Sequence, residues 1–197
     1  MAKRSRLSLA LVFCFFAWIP RADARTPTEQ VRETIEQVVV AANGSAGENP
    51  VARLELMRRV LMPRFDFFEM SRQSLGKHWN AVGERQQEFV TSFAEFLGNA
   101  YLGRIVSYKD EEIRFLGERV ERDRAEVATR VVPRRGEPLT VNYRLHRVDD
   151  QWKIYDVVVE EISLIGNYRA QFSRILANGT FDDLMRRLRE KGPTSRP

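Results

Sequence analysis

The chain has 197 residues, 43% of them hydrophobic and one of them cysteine. That is enough for one ordinary domain with a real core, and too little cysteine for a disulfide framework. The formal net charge is +5, but Lys3, Arg4, Arg6 and Arg21 against Asp23 lie in a segment that reads as removable, and without it the net falls to +2. Bulk charge of that size excludes electrostatic nucleic-acid binding as the main activity.

The removable segment is a secretory signal peptide. Lys3, Arg4 and Arg6 precede the apolar run Leu7 to Ile19, Pro20 breaks it, and Ala22-Asp23-Ala24 has the small-x-small form of a cleavage site. The apolar run is short for a bilayer span of roughly 20 residues. Cleavage after Ala24 leaves residues 25–197 as a single secreted domain. Cys14 lies within the lost segment, flanked by Phe13 and Phe15, which is not a lipoprotein context. The mature chain then has no disulfide, no thiolate metal site and no cysteine nucleophile.

Thr28 to Ala42 predicts the first helix, with Val31, Ile35, Val38, Val39 and Ala42 on one face. Asn43-Gly44 ends it, as Asn178-Gly179 ends a later one. A second helix spans about Val51 to Leu61 and is closed by Pro63. Asp66 caps a short third helix carrying Phe67, Met70 and Leu75, with Gly76 as its stop. The apolar load from Phe65 to Met70 either anchors this segment to the core or lines a ligand cavity. Glu84 to Tyr101 is the clearest helix. Its stripe of Phe89, Phe93, Phe96, Leu97, Ala100 and Tyr101 is expected to lie on a sheet.

From Arg104 the period changes. Ile105–Leu116, Arg119–Val132, Leu139–Val148 and Trp152–Glu160 are four strand candidates, and their alternation predicts an antiparallel sheet with one covered face. A three-residue loop at Asp149-Asp150-Gln151 pairs Leu145 with Tyr155, Tyr143 with Val157 and Val141 with Val159. It also sets Arg144 opposite Asp156. A two-residue loop would place Tyr143 opposite Asp156, so the longer loop is expected. Ser163 then caps a helix carrying Leu164, Ile165, Tyr168, Phe172 and Ile175, so that strand passes into helix with almost no loop. Thr180 caps a last helix. The basic residues Arg186, Arg187, Arg189, Lys191 and Arg196 read as a solvated helix end, or as a docking patch for anionic lipid or an acidic partner.

Catalytic and metal signatures are missing from the sequence. His78 and His146 are isolated from one another, and there is no nucleophile elbow, phosphate loop or His-Glu-x-x-His. Asp156 is the one acid within an apolar strand, and pairing with Arg144 explains it without chemistry. No enzyme and no cofactor is expected. What remains is a cysteine-free α+β domain that is either solid or built around an apolar cavity, since both need the same inward residues.

L-M-P-R-F-D-F-F-E-M at Leu61–Met70, L-G-x-x-W at Leu75–Trp79, the Q-x-x-F-x-x-x-F helix, W-K-I-Y-D-V at Trp152–Val157 and S-L-I-x-N-Y-R-x-Q-F at Ser163–Phe172 together resemble the MlaC family of periplasmic lipid carriers, also known as the toluene-tolerance family. The resemblance covers nearly all of the mature chain. It departs at Glu161, where members usually carry glycine. It implies a four-stranded antiparallel sheet covered by several helices that enclose an apolar lipid cavity. It also implies a carrier that shuttles phospholipid between an outer-membrane lipoprotein complex and an inner-membrane ABC transporter with its substrate-binding ring, maintaining outer-membrane lipid asymmetry. One branch is associated with hopanoids, so a polycyclic ligand is the alternative. A periplasmic protein-interaction module without lipid is a reading from a different class. By register and helical face, the residues expected to line the cavity are Phe93, Leu97, Tyr101, Val141, Tyr143, Leu145, Tyr155, Val157, Val159, Tyr168 and Phe172. Tryptophan at Val157 or Leu145 is expected to block ligand and leave the fold largely intact.

Overall fold

The computed structural model describes residues 25–43, 49–107 and 111–190. The expected signal peptide, Cys14, Gly44, Lys191 and Arg196 lie outside them. Among the described residues there are six α-helices and five strands. The helices are α1 (Pro27–Asn43), α2 (Pro50–Leu61), α3 (Phe67–Leu75), α4 (Gln86–Ser107), α5 (Leu164–Asn178) and α6 (Phe181–Glu190). The strands are β1 (Glu112–Glu121), β2 (Arg124–Val132), β3 (Leu139–Val148), β4 (Gln151–Val159) and β5 (Ile162–Ser163). The strands form one antiparallel meander in the order β1-β2-β3-β4-β5. No helix among the described residues is long and apolar enough to cross a membrane.

The caps sit where the sequence puts them. The Asp66 carboxylate accepts from the Glu69 amide at 2.9 Å, and Gly76 ends α3 at φ +54°, a conformation glycine adopts freely. Thr180 and Asp183 form a reciprocal capping pair at the start of α6, with the Thr180 amide donating to Asp183 and the Asp183 amide donating to the Thr180 hydroxyl.

Three expectations need correction. First, α4 runs to Ser107, so Ile105 belongs to a helix and the first strand starts only at Glu112; that strand also takes in Arg119 and runs to Glu121, so the second starts at Arg124 and not at Arg119. Leu97, Tyr101 and Ile105 are four residues apart and continue one apolar face, so the helical period outlasts the expected boundary. Second, the sheet has five strands, not four. Glu160 and Glu161 turn at φ +46° and +66°, and Ile162-Ser163 pairs back on Val158-Val159 before α5 begins. The strand therefore does not run straight into the helix. Third, the loop between β3 and β4 has two residues, Asp149 and Asp150, both at positive φ, as the tightest hairpins require. The expected pairs of Val141 with Val159, Tyr143 with Val157 and Arg144 with Asp156 all form, but Leu145 faces Ile154. Tyr155 is an extra residue bulged out of the ladder. The bulge absorbs the one-residue difference between the two loops and keeps Tyr143 off Asp156.

Asp156 holds the strand-to-helix corner. It is buried, with one carboxylate oxygen 3.2 Å from Arg144 Nη1 and 2.6 Å from the Ser163 hydroxyl, and the other accepting from the Ile165 amide at 3.0 Å. Ser163 passes the contact on by accepting from the Gly166 amide at 2.9 Å. A buried carboxylate satisfied by a cation, a hydroxyl and a helix N-terminal amide offsets its own desolvation.

Three buried clusters result: a small one joins α1, α2 and α4 around Met57 and Leu102, and two larger blocks lie beside it. In one, α3, α4, α5 and α6 share a core rich in aromatic rings, including the fully buried Phe89 and Phe93. In the other, Val31 of α1 packs on Val127, Leu145, Trp152 and Ile154 of the sheet. The buried Gln30 amide ties α1 to β4 at the Trp152 backbone, donating to its carbonyl and accepting from its N–H at 3.3 Å. Asp156→Ala strands the Ser163 and Ile165 donors and is expected to cost about 2–4 kcal/mol in urea unfolding. Glu161→Gly relieves a left-handed glutamate and is expected to add about 0.5–1 kcal/mol in the same assay.

Candidate functional site: an apolar cavity between sheet and helices

Between the two blocks lies an apolar cavity of about 480 Å³, within the range of ligand-sized pockets. Its floor is the inner face of the sheet, with Ile113, Val131, Val141, Tyr143, Val157 and Val159 from four strands. Its walls come from α1 (Val31, Ile35, Val38), the α2–α3 connection (Met62, Phe65), and the C-terminal half of α4 (Leu97, Tyr101, Ile105). Val39 and Val159 line it and are also exposed, at 38% and 40%, which marks its rim.

The polar groups in the wall are few and mostly tied to protein. Thr34 is buried and returns its hydroxyl to the Gln30 carbonyl at 2.8 Å. Tyr101 and Tyr168 meet hydroxyl to hydroxyl at 3.2 Å. Burial pushes the Tyr143 phenol above its ordinary pKa, with the Thr129 hydroxyl pulling weakly the other way, so it stays neutral. Glu111 is the one charged residue lining the cavity among those described.

The expected lining divides sharply. Leu97, Tyr101, Val141, Tyr143, Val157 and Val159 face the cavity. Phe93, Tyr155, Tyr168 and Phe172 instead lie in the solid core of the helical block, and Leu145 is fully buried under α1. Phe93 packs edge-on against Tyr168 and Phe172, each with ring centroids 5.4 Å away. The N-terminal half of the α4 stripe is thus satisfied by α5, and only its C-terminal half looks toward the sheet. Tyr155 leaves the face of Val157 because the bulge turns it toward the helices. It lies there against His146, with Arg124 Nη1 donating to its hydroxyl at 3.2 Å. Leu145→Trp consequently overpacks a full core, while Val157→Trp projects into space.

Residues of α1 and Ile154 line the cavity without having been expected there, and Phe65, Phe67 and Met70, for which core anchoring and cavity lining were both open, line it too. The apolar face of α1 and the load at Phe65–Met70 were visible as inward surfaces, but not which interior they faced. His146 Nε2 lies 2.9 Å from the Asp66 carboxylate that caps α3, so this histidine pins β3 to α3. Groups of three or more metal-binding side chains are absent among the described residues. In the basic C-terminal cluster, Arg186 pairs with Asp183 at 2.7 Å and Arg189 with Glu88 at 2.6 Å, in keeping with a solvated helix end.

The two groups of side chains should behave differently on truncation. Phe93→Ala is expected to cost about 3–5 kcal/mol in urea unfolding, as for a full core. Val157→Ala, at the edge of existing space, is expected to cost less than about 1.5 kcal/mol.

This geometry has relatives. The chain is 26% identical over 156 residues to toluene tolerance protein ttg2D of Pseudomonas putida, an alignment covering 76% of this chain and 73% of that protein. Its fold matches a solved structure from Ralstonia solanacearum, described as a phospholipid-binding protein in complex with a phospholipid. The TM-score is 0.72 at 22% identity, over 82% of this chain and 94% of that one. The family described as MlaC protein matches residues 29–190, nearly the whole described chain, and the protein belongs to the MlaC family.

Proposed function

We propose that the protein is a periplasmic phospholipid carrier that holds acyl chains in the apolar cavity and leaves the head group toward the rim at Val39 and Val159. The cavity itself carries this reading. It is an apolar interior with almost no charge, suited to hydrocarbon and unsuited to a polar substrate. Membership of the MlaC family and the phospholipid held by the Ralstonia solanacearum protein support it.

The physical need is plain. Each methylene exposed to water costs about 0.8 kcal/mol, so one chain of about fifteen methylenes crossing the periplasm bare would cost roughly 12 kcal/mol. A cavity between two separately packed blocks replaces those contacts with the inner face of the sheet. Loading and release then belong to membrane-bound partners. In this proposal they are an outer-membrane lipoprotein complex and an inner-membrane ABC transporter with its substrate-binding ring, and the exchange serves outer-membrane lipid asymmetry.

Native mass spectrometry of the mature protein purified without detergent, followed by lipid extraction, tests the reading. A bound mass resolving into phospholipid is expected, and Val157→Trp is expected to lower its occupancy several-fold without loss of folding. A hopanoid mass would keep the carrier and change its cargo. Failure to load from phospholipid vesicles, after a clean apo mass, would turn the reading toward a protein-interaction module.

A further inference from the structure

A second concavity lies outside the apolar cavity and shares no lining residue with it. It encloses about 420 Å³ and is lined by Arg72, Gln73, Gly76, Trp79, Asn80, Arg124 and Arg169. Its three arginines come from three separate elements, α3, the start of β2 and α5. Convergence of like charges is unfavourable unless something offsets it, and little within the protein does. The only acid paired with any of the three among the described residues is Glu69, which grips Arg72 through two bonds of 2.7 Å. Arg169 spends its Nε on the Gln73 carbonyl at 2.6 Å. Arg124 donates Nη1 to the Tyr155 hydroxyl and lies over that ring, 5.2 Å from its centroid. Each guanidinium is therefore fixed through part of its fork, and among the described residues Arg124 and Arg169 have no carboxylate partner.

Gly76 stands at φ +54°, with the Arg169 side chain in ordinary van der Waals reach of the position a Cβ would take. Beneath, the buried Trp79 is held edge-on by Phe68, with ring centroids 5.2 Å apart. Burial would raise the Glu69 pKa, but bonds from Arg72 and Gln73 outweigh it, so Glu69 stays ionised and Arg72 stays in place.

We propose that this pocket docks an acidic segment of a partner protein, with carboxylates seated in the forks of Arg124 and Arg169. Guanidinium matches carboxylate in a planar, two-bond geometry. A bilayer surface is flat and does not enter a concavity. A lone small anion gains little from guanidiniums this open to water, since Arg124 and Arg169 are both exposed. A segment carrying several carboxylates adds contacts within one binding event. This site does not depend on what the apolar cavity holds.

The test is titration of the ¹⁵N-labelled mature protein at low salt with a synthetic hexapeptide of alternating aspartate and glycine. Inorganic phosphate and phosphatidylglycerol vesicles are run beside it. The expected result is saturable peptide binding that shifts the Gly76 and Asn80 amides and the Trp79 indole N–H, and that weakens as salt rises. Arg124→Gln and Arg169→Gln should each weaken it about tenfold. Arg124→Gln leaves the Arg169 bond to α3 untouched, and an amide spectrum unchanged away from the pocket shows that a loss there is not a loss of folding. Absence of peptide binding, or binding by both variants as tight as that of the unsubstituted protein, would overturn the proposal. Equal saturation by phosphate would replace it with a small-anion site, and a response to vesicles alone would replace it with a membrane contact.

Discussion

The carboxylate of Asp156 is the contact on which the rest of the architecture depends. It sits on β4 one residue past the bulge, takes Arg144 from β3, and reaches Ser163 and Ile165 at the start of α5. One buried charge thus fixes the register of a hairpin and the launch point of a helix. Removing any partner would leave a desolvated group, so the arrangement tolerates little slack. From that corner α5 is carried onto α3, α4 and α6, and the aromatic block follows.

The cavity is a consequence of how the two blocks share their elements. Helix α4 is too long to serve one core. Its first half packs on α5 and α6 through Phe89 and Phe93, and its second half, with Leu97, Tyr101 and Ile105, overhangs the sheet. Helix α1 approaches the sheet from elsewhere and is tethered at Gln30. The Tyr101–Tyr168 hydroxyl contact lies at the boundary, where solid core gives way to open space. Space of this kind is costly in an ordinary domain, because its lining loses dispersion contacts. Its retention here between two well-filled cores is what a ligand would explain.

Helix α3 stands between the two concavities. Phe67 and Met70 face the apolar one, and Arg72 and Gln73 face the basic one. A nine-residue helix is therefore in contact with both candidate sites, capped at one end by Asp66 and stopped at the other by Gly76.

Much of this was legible from residues alone. Apolar period, caps and breakers are local, and they located each of the six α-helices among the described residues, the α+β class and three of the four tested cross-strand pairs between β3 and β4. The motifs from Leu61 to Phe172 also carried the family. What the sequence could not decide was non-local. The bulge at Tyr155 and the two-residue turn compensate each other, so a register argument restricted to one loop length reaches the right pairs near Val157 and the wrong one at Leu145. The division of the α4 stripe between core and cavity depends on where α5 stops covering it, which no periodicity records. Burial looks the same in sequence whether the neighbour is a side chain or a space. Only the tertiary packing decided which apolar faces were filled by one another and which were left open, because that depends on distances between elements far apart in the chain.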